Sequence, residues 1–326
     1  MKSIAIITTP LQLLNLSEYL FHFPIDNLEI IALLKRDNSL KQIEQISAHL
    51  DLKIKTIAFF DKGLHFLKLR SISKTNKTVD RLILGQFFSD PLIYFSNKVN
   101  YRELIILDDG LANVHVKDAV ENRTSVIKQN NLKKLIKAIL GINTNFPHEV
   151  TLFTLFDITS SKRVKVIKNS LAQTKLNIGL KSLSDEVLII GQPFIETGEV
   201  EKQSYLKLLQ DIANENSSCE KIIYLSHRRE RDNTLDEVRK IPKLEVVQSA
   251  YNFELYLSLR SLLPQKIVGF SSTALITSKL LTGNNKEIEI TSYKLPPNLI
   301  LQNKEKIYSC YTQIEQTGVQ TKQLML

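Results

Sequence analysis

Short apolar runs alternate with longer amphipathic segments along almost the whole chain, and this rhythm constrains its fold more than any other feature. In the first half the runs are Ile4 to Ile7, Ile30 to Leu34, Ile54 to Phe59, Leu82 to Leu84 and Leu104 to Leu107. Between them lie segments of helical period, among them Leu11 to Phe21, Leu40 to Leu50 and Pro91 to Lys98. A strand buried on both faces needs a near-continuous apolar run, and alternation with helices marks βαβ units in a parallel sheet. The second half repeats the pattern. Strands are expected at Val187 to Ile190, Lys221 to Leu225, Leu244 to Val247, Lys266 to Phe270 and Glu287 to Ile290. Helices are expected at Glu201 to Asn214, Leu235 to Arg239, Phe253 to Leu259 and Thr273 to Leu281.

With 326 residues the chain exceeds one comfortable core, and domains of roughly 150 residues each are expected. The pattern predicts an α/β protein of two Rossmann-like lobes facing across a cleft. The first would span 1–160, the second 185–326, and the stretch 161–184, rich in Lys, Ser, Thr and Asn, would cross between them. The Gln-rich tail from Gln313 is expected to be loose at its end. In open parallel sheets ligands sit beyond the carboxyl ends of the strands, so the strand ends are where chemistry is sought.

Two cysteines, Cys219 and Cys310, are too few and too ill-spaced for a disulfide framework or a thiolate metal site, which fits a reducing cytoplasm. The start of the chain reads as a first buried strand, and no window offers the ~20 apolar residues that cross a bilayer. A soluble, cytoplasmic protein is expected. The net charge of +9 calls for an anionic partner. Nucleic acid is set aside, for want of a zinc finger, an RGG tract or a basic stripe with interleaved aromatics. Near 132–140, Leu132, Leu135, Ile136, Ile139 and Leu140 form one helical stripe with Lys133, Lys134 and Lys137 off it. A core-packed helix with a solvated lysine face is the plainer reading, and peripheral contact with the inner face of the cytoplasmic membrane is the other.

Chemistry-bearing residues stand at several strand ends. Asp108 and Asp109 follow the run Leu104 to Leu107 and precede Gly110. A carboxylate there could take a proton from an attacking hydroxyl, and adjacent acids raise one another's pKa; the bland alternative is an Asp-Gly turn. His227 closes another strand and is followed by Arg228, Arg229 and Arg231, which suit phosphate, although a surface histidine in a basic turn has the same look. A third strand runs through Gly269 and Phe270 into Ser271, Ser272 and Thr273, where a helix start and hydroxyls can cradle phosphate or simply cap the helix. The chain order speaks against a hydrolase elbow there, because every histidine precedes Ser271 and a triad ordered Ser, acid, His would need one after it. Glu254 opens a helix, suited to ribose hydroxyls or to capping. The histidines at 22, 49, 65, 115 and 148 show no metal-ligand spacing.

Thr9-Pro10-Leu11-Gln12, Asp108-Asp109-Gly110, Gly191-Gln192-Pro193, Ser226-His227, Glu254 and Phe270 to Thr273, in this order, resemble the motifs of bacterial sialyltransferases. Those enzymes share an acid-acid-Gly, a His-Pro and a Ser-Ser motif. The likeness is strongest to the lipooligosaccharide and capsule sialyltransferases of glycosyltransferase family 52, to which bacterial polysialyltransferases are related. The resemblance implies a GT-B fold, CMP-sialic acid as donor, a terminal galactose of a surface glycan as acceptor, inversion at the anomeric carbon, and no metal or other cofactor. It implies a general base in the acid pair, with Asp108 favoured as the first position, and His227 assisting departure of CMP. Ser271 and Ser272 would bind phosphate, Glu254 the ribose, and Gly191, Gln192 and Pro193 the cytidine side; Thr273 at the helix start and Arg228 in the basic cluster, read from the residues and not from the resemblance, would join the phosphate site. One position departs from the pattern: Arg228 stands where the family has proline after the histidine. Polysialyl transfer, another nucleotide-sugar transferase, and a non-catalytic nucleotide- or sugar-binding protein remain alternatives, and a homodimer is left open.

Overall fold

The computed structural model describes residues 1–35, 39–60, 64–110, 112–122, 142–176, 178, 181–283, 285 and 287–324. The amphipathic segment near 132–140 lies outside them. The chain divides into two compact units, Met1–Ala172 and Gln173–Leu326.

In the first unit β1 (Ser3–Ile7), α1 (Pro10–His22), β2 (Leu28–Lys35), α2 (Ser39–His49), β3 (Ile54–Phe60), α3 (Leu64–Thr75), β4 (Thr78–Leu84), α4 (Asp90–Ser96) and β5 (Asn100–Leu107) follow in strict alternation. A 3₁₀ turn at Ala112–His115, α5 (Val116–Asn122), β6 (Val150–Thr154) and β7 (Val164–Lys168) complete it. The sheet is parallel, in the order β3-β2-β1-β4-β5-β6-β7. Every residue of β1 is buried, as a central strand with helices on both faces demands. Ile6 pairs with Ile31 on one side and Leu84 on the other, and Leu82 pairs with Leu104, so one face carries a continuous aliphatic layer. Burying each such side chain fully contributes ~1.5–3 kcal/mol.

A short helix, α6 (Ala172–Leu176), spans the boundary between the units. The second unit holds β8 (Leu183–Ile190), α7 (Lys202–Glu215), β9 (Lys221–Leu225), α8 (Asp232–Val238), β10 (Leu244–Val247), α9 (Phe253–Leu259), β11 (Leu263–Gly269), α10 (Thr273–Thr282), β12 (Glu289–Lys294), α11 (Lys304–Gln316) and β13 (Gln320–Gln323). Its parallel sheet has the order β10-β9-β8-β11-β12-β13. Renumbered from its own first strand this is 3-2-1-4-5-6, the dinucleotide-binding order, and the first sheet shares it apart from the added β7.

Two expectations are corrected. The stretch 161–184 is not a bare crossing, because β7 lies inside it and pairs with β6, so the first unit runs on to Ala172. β7 is a terminal strand in which only Val164 is buried, and Lys165 and Lys168 break the apolar run that a central strand would show. The tail from Gln313 is structured further than expected: α11 runs through Gln316, and β13 pairs with β12 from Thr291↔Gln320 to Lys294↔Gln323, while the last two residues, at the end expected to be loose, lie outside the described residues.

Candidate active site

In the first unit the acid motif sits at the carboxyl end of β5. Successive residues of extended chain point to opposite sides, so two adjacent acids cannot share one environment. Asp108 turns inward and is 1% exposed, whereas Asp109 is half-buried. The Asp108 carboxylate accepts hydrogen bonds from the Thr154 hydroxyl (2.6 Å), the Leu155 N–H (2.5 Å) and the Asn113 side-chain amide (3.0 Å). Its carbonyl accepts from the Asn15 amide at 3.1 Å. Burial pushes the Asp108 pKa up to about 7 against the pull of these bonds. The cause is desolvation, not the mutual repulsion anticipated from adjacent acids. Gly110 has φ +69°, and nothing lies within 4 Å of where its Cβ would be, so glycine is needed there for backbone conformation alone.

The turn after β1 supports this motif. Thr9 caps α1, its hydroxyl accepting the Gln12 N–H, and Pro10 fills the first helical position. Gln12, Asn15 and Glu18 are spaced by three and are all fully buried. Asn15 donates to Asp108 and accepts from the Asn169 amide at 3.1 Å, tying the acid turn to the segment after β7.

In the second unit β8 and β11 lie side by side where the strand order reverses, the point at which such sheets bind ligands. The loops that leave them meet there: the Gln192 side-chain amide donates to the Ser271 carbonyl at 2.8 Å. The Gly191 N–H donates to the Leu225 carbonyl at 2.8 Å, bringing in the end of β9. A Cβ on Gly191 would stand 2.8 Å from Glu230 Oε2, from Leu225 O and from the Tyr224 ring, so only glycine fits. Pro193 is half-buried, and Phe194, Tyr205 and Phe270 pack edge to face beneath the loops. Ser272 caps α10, its hydroxyl accepting the Ala274 N–H at 3.3 Å. Ser271, Ser272 and Thr273 are half-buried, so the helix start is within reach of a ligand.

His227 is half-buried and fixed at two points. Its backbone N–H donates to Glu230 Oε2 (2.6 Å), and its Nδ1 accepts the Arg229 N–H (3.1 Å). With Nδ1 an acceptor, the ring proton belongs on Nε2. Burial, with the cations of Arg228 and Arg229 beside it, draws the imidazole pKa down to about 3. At neutral pH the ring is therefore an uncharged hydrogen-bond donor. Arg228 is half-buried; Arg231 is exposed and donates its N–H to Glu196 Oε1 at 3.0 Å. Glu254 faces inward, accepting the Thr277 hydroxyl (2.8 Å) and the Asn252 amide (2.7 Å), so it ties α9 to α10, and burial raises its pKa.

The structure thus gathers Gly191 to Pro193, His227 and Ser271 to Thr273 at one end of the second sheet, while the acid pair ends a strand of the first unit. A family model for alpha-2,8-polysialyltransferases matches residues 3–294, from the first strand to the end of β12. The chain belongs to the alpha-2,8-polysialyltransferase family. Against curated proteins its sequence finds no match. Solved structures share its fold at low identity. The GT-B domain of a Photobacterium damselae sialyltransferase matches with a TM-score of 0.55 and 12% identity, over 99% of this chain and 98% of that one. The S. aureus MnaA–UDP structure matches with a TM-score of 0.58 and 12% identity over 97% and 90%. UDP-GlcNAc 2-epimerase from Neisseria meningitidis bound to UDP-GlcNAc matches at 0.52 and 9% over 98% and 91%.

The two parallel-sheet units are thereby of GT-B type, and membership in the polysialyltransferase family makes the chain a sialyltransferase-type glycosyltransferase. Sequence reasoning missed several residues that build its site. Glu230 could have been found as the lone acid in His-Arg-Arg-Glu-Arg, and Asn15 as a polar residue in an apolar helix. Thr154 and Asn113 carry no such signal, since only the folded sheet brings them to Asp108. Among the described residues no His, Cys, Asp and Glu cluster is placed to hold a metal ion, and no helix is long and apolar enough to cross a membrane.

Proposed function

We infer that this chain transfers sialic acid from CMP-sialic acid to the terminal sialic acid of a surface glycan, with inversion and without a metal ion. The observation that carries this reading is the family match, which takes in the acid, histidine and serine motifs together. Asp109 is assigned as general base. It is the half-buried member of the pair and so the one an acceptor hydroxyl can reach, whereas Asp108 is 1% exposed. A base that draws the acceptor proton as the bond forms contributes ~10²- to 10⁴-fold. His227 Nε2–H, the Ser271 and Ser272 hydroxyls and the start of α10 stabilise the phosphate of the departing CMP, and this electrostatic contribution is commonly the largest. Arg228, in place of the family proline, adds a cation beside that phosphate. Gly191 to Pro193 face the cytidine, and Glu254 acts by fixing α10 beneath the serines.

Transfer to terminal galactose, the acceptor implied by the resemblance to family 52, is the second reading. The nucleotide is tested by thermal shift. CMP should raise the melting temperature, since a ligand at 100 Kd stabilises by about 2.7 kcal/mol, while UDP and GDP at equal concentration should not. Stabilisation by UDP but not CMP would overturn the donor assignment, and would ally the chain with the UDP-binding proteins whose fold it shares.

A further inference from the structure

Glu230 takes part in no step of the proposed reaction, yet it is 6% exposed and sits where the loops after β8 and β9 converge. Its two carboxylate oxygens are held by different partners: Oε1 accepts from the Tyr224 hydroxyl at 2.5 Å, Oε2 from the His227 N–H at 2.6 Å. Tyr224 is in turn 3.0 Å from the Tyr205 hydroxyl, which accepts the Gln192 N–H at 3.3 Å. These bonds fix a direction. Tyr205 accepts from Gln192 and Tyr224 donates to Glu230, so the proton between the tyrosines belongs to Tyr205. With Glu230 ionised, the chain runs one way, from Gln192 through Tyr205 and Tyr224 to a carboxylate that accepts at both oxygens.

We propose that Glu230 is a positioning residue, a proton-sensitive latch that in its ionised form holds the His227 turn against the Gly191-Gln192 loop and in its protonated form releases it. The proposal rests on the assignment of these loops to the nucleotide. A protonated carboxyl donates at one oxygen while both oxygens face donors, so protonation either sets a hydroxyl against the His227 N–H or reverses the tyrosine hydroxyls and takes from the Tyr205 proton its acceptor, Tyr224. Through Gln192, which also grips Ser271, the same change reaches the serine turn. Glu230 is placed to titrate within the neutral range, because burial lifts its pKa to about 7 against the pull of the bonds from Tyr224 and His227. Facing it, Glu196 raises that value further by like charge. Tyr205 and Tyr224 stay neutral, burial having raised both, and His227 is uncharged well above about 3, so Glu230 alone of these groups changes charge between pH 6 and 8.

The test is the His227 backbone amide, followed by NMR from pH 5.5 to 8.5 in the native protein, Glu230→Gln and Tyr224→Phe, with CMP affinity measured at both ends. The amide resonance should titrate with a midpoint near 7 in the native protein, stay flat in Glu230→Gln, and still titrate in Tyr224→Phe, which keeps the His227 bond. Glu230→Gln should bind CMP about tenfold more weakly than the native protein at pH 8 and equally at pH 6. An amide that does not titrate, or that titrates alike in Glu230→Gln, overturns the latch. So does a titrating amide with equal CMP affinities at pH 8. If the amide titrates but no form binds CMP, the latch stands as a device of the fold and the nucleotide assignment fails instead.

Discussion

Adjacent acids at a strand tip are divided by backbone geometry into one that faces the interior and one that does not. Asp108 faces in, and its pKa near 7 means that the native state holds its proton more tightly than the unfolded chain does. That contribution is full below about pH 4 and is lost as pH rises through about 7, on the order of 4 kcal/mol in all. The native protein should therefore lose more stability between pH 5 and 7, by urea unfolding, than Asp108→Asn; equal losses would contradict the buried proton. Asp109→Asn should leave CMP affinity within about twofold and cut transfer at least ~10²-fold, the lower bound for a lost general base. The pair itself was legible as a motif, but its division of labour was not. Which residue points inward depends on Thr154 and Leu155 from β6 and its exit, some 46 positions along the chain.

Among elements, the strands that sequence revealed are those buried on both faces, where nothing but aliphatic residues fits. β6, β7 and β13 escaped. Val150–Thr154 is buried throughout but only five residues long, β7 is a lysine-bearing terminal strand, and β13 is mostly exposed Gln, Thr and Lys whose pairing with β12 tertiary context supplies. Short or exposed strands carry little hydrophobic signal, and the boundary between the units was misplaced for that reason. The serine turn separates two roles within one element. Ser272 is the cap of α10, so Ser272→Ala should cost about 0.5–2 kcal/mol of stability as well as CMP affinity. Ser271 offers its carbonyl to Gln192 and caps no helix, its side chain meeting that of Tyr311, so Ser271→Ala should weaken CMP binding and lower the melting temperature less than Ser272→Ala does. Equal melting temperatures for both variants would remove the distinction.

At the scale of the molecule, each unit carries the strand order of a dinucleotide-binding sheet, and the candidate site residues lie at the strand ends where that order places ligands. The net charge of +9 is suited to the proposed donor, which bears phosphate and carboxylate. Fold was readable because periodicity is a property of the whole chain, whereas acceptor choice depends on loop shape, which periodicity does not encode. The central claim is that this family member moves sialic acid from CMP. Its most direct test is a chelator-treated assay of CMP-sialic acid with a sialylated and a galactose-ended oligosaccharide, read by product mass for the native protein and Asp109→Asn. The account predicts a product one or more sialic acid residues heavier from the sialylated acceptor with the native protein alone. No mass gain on either acceptor from a folded protein that binds CMP, or equal gain with Asp109→Asn, would contradict it.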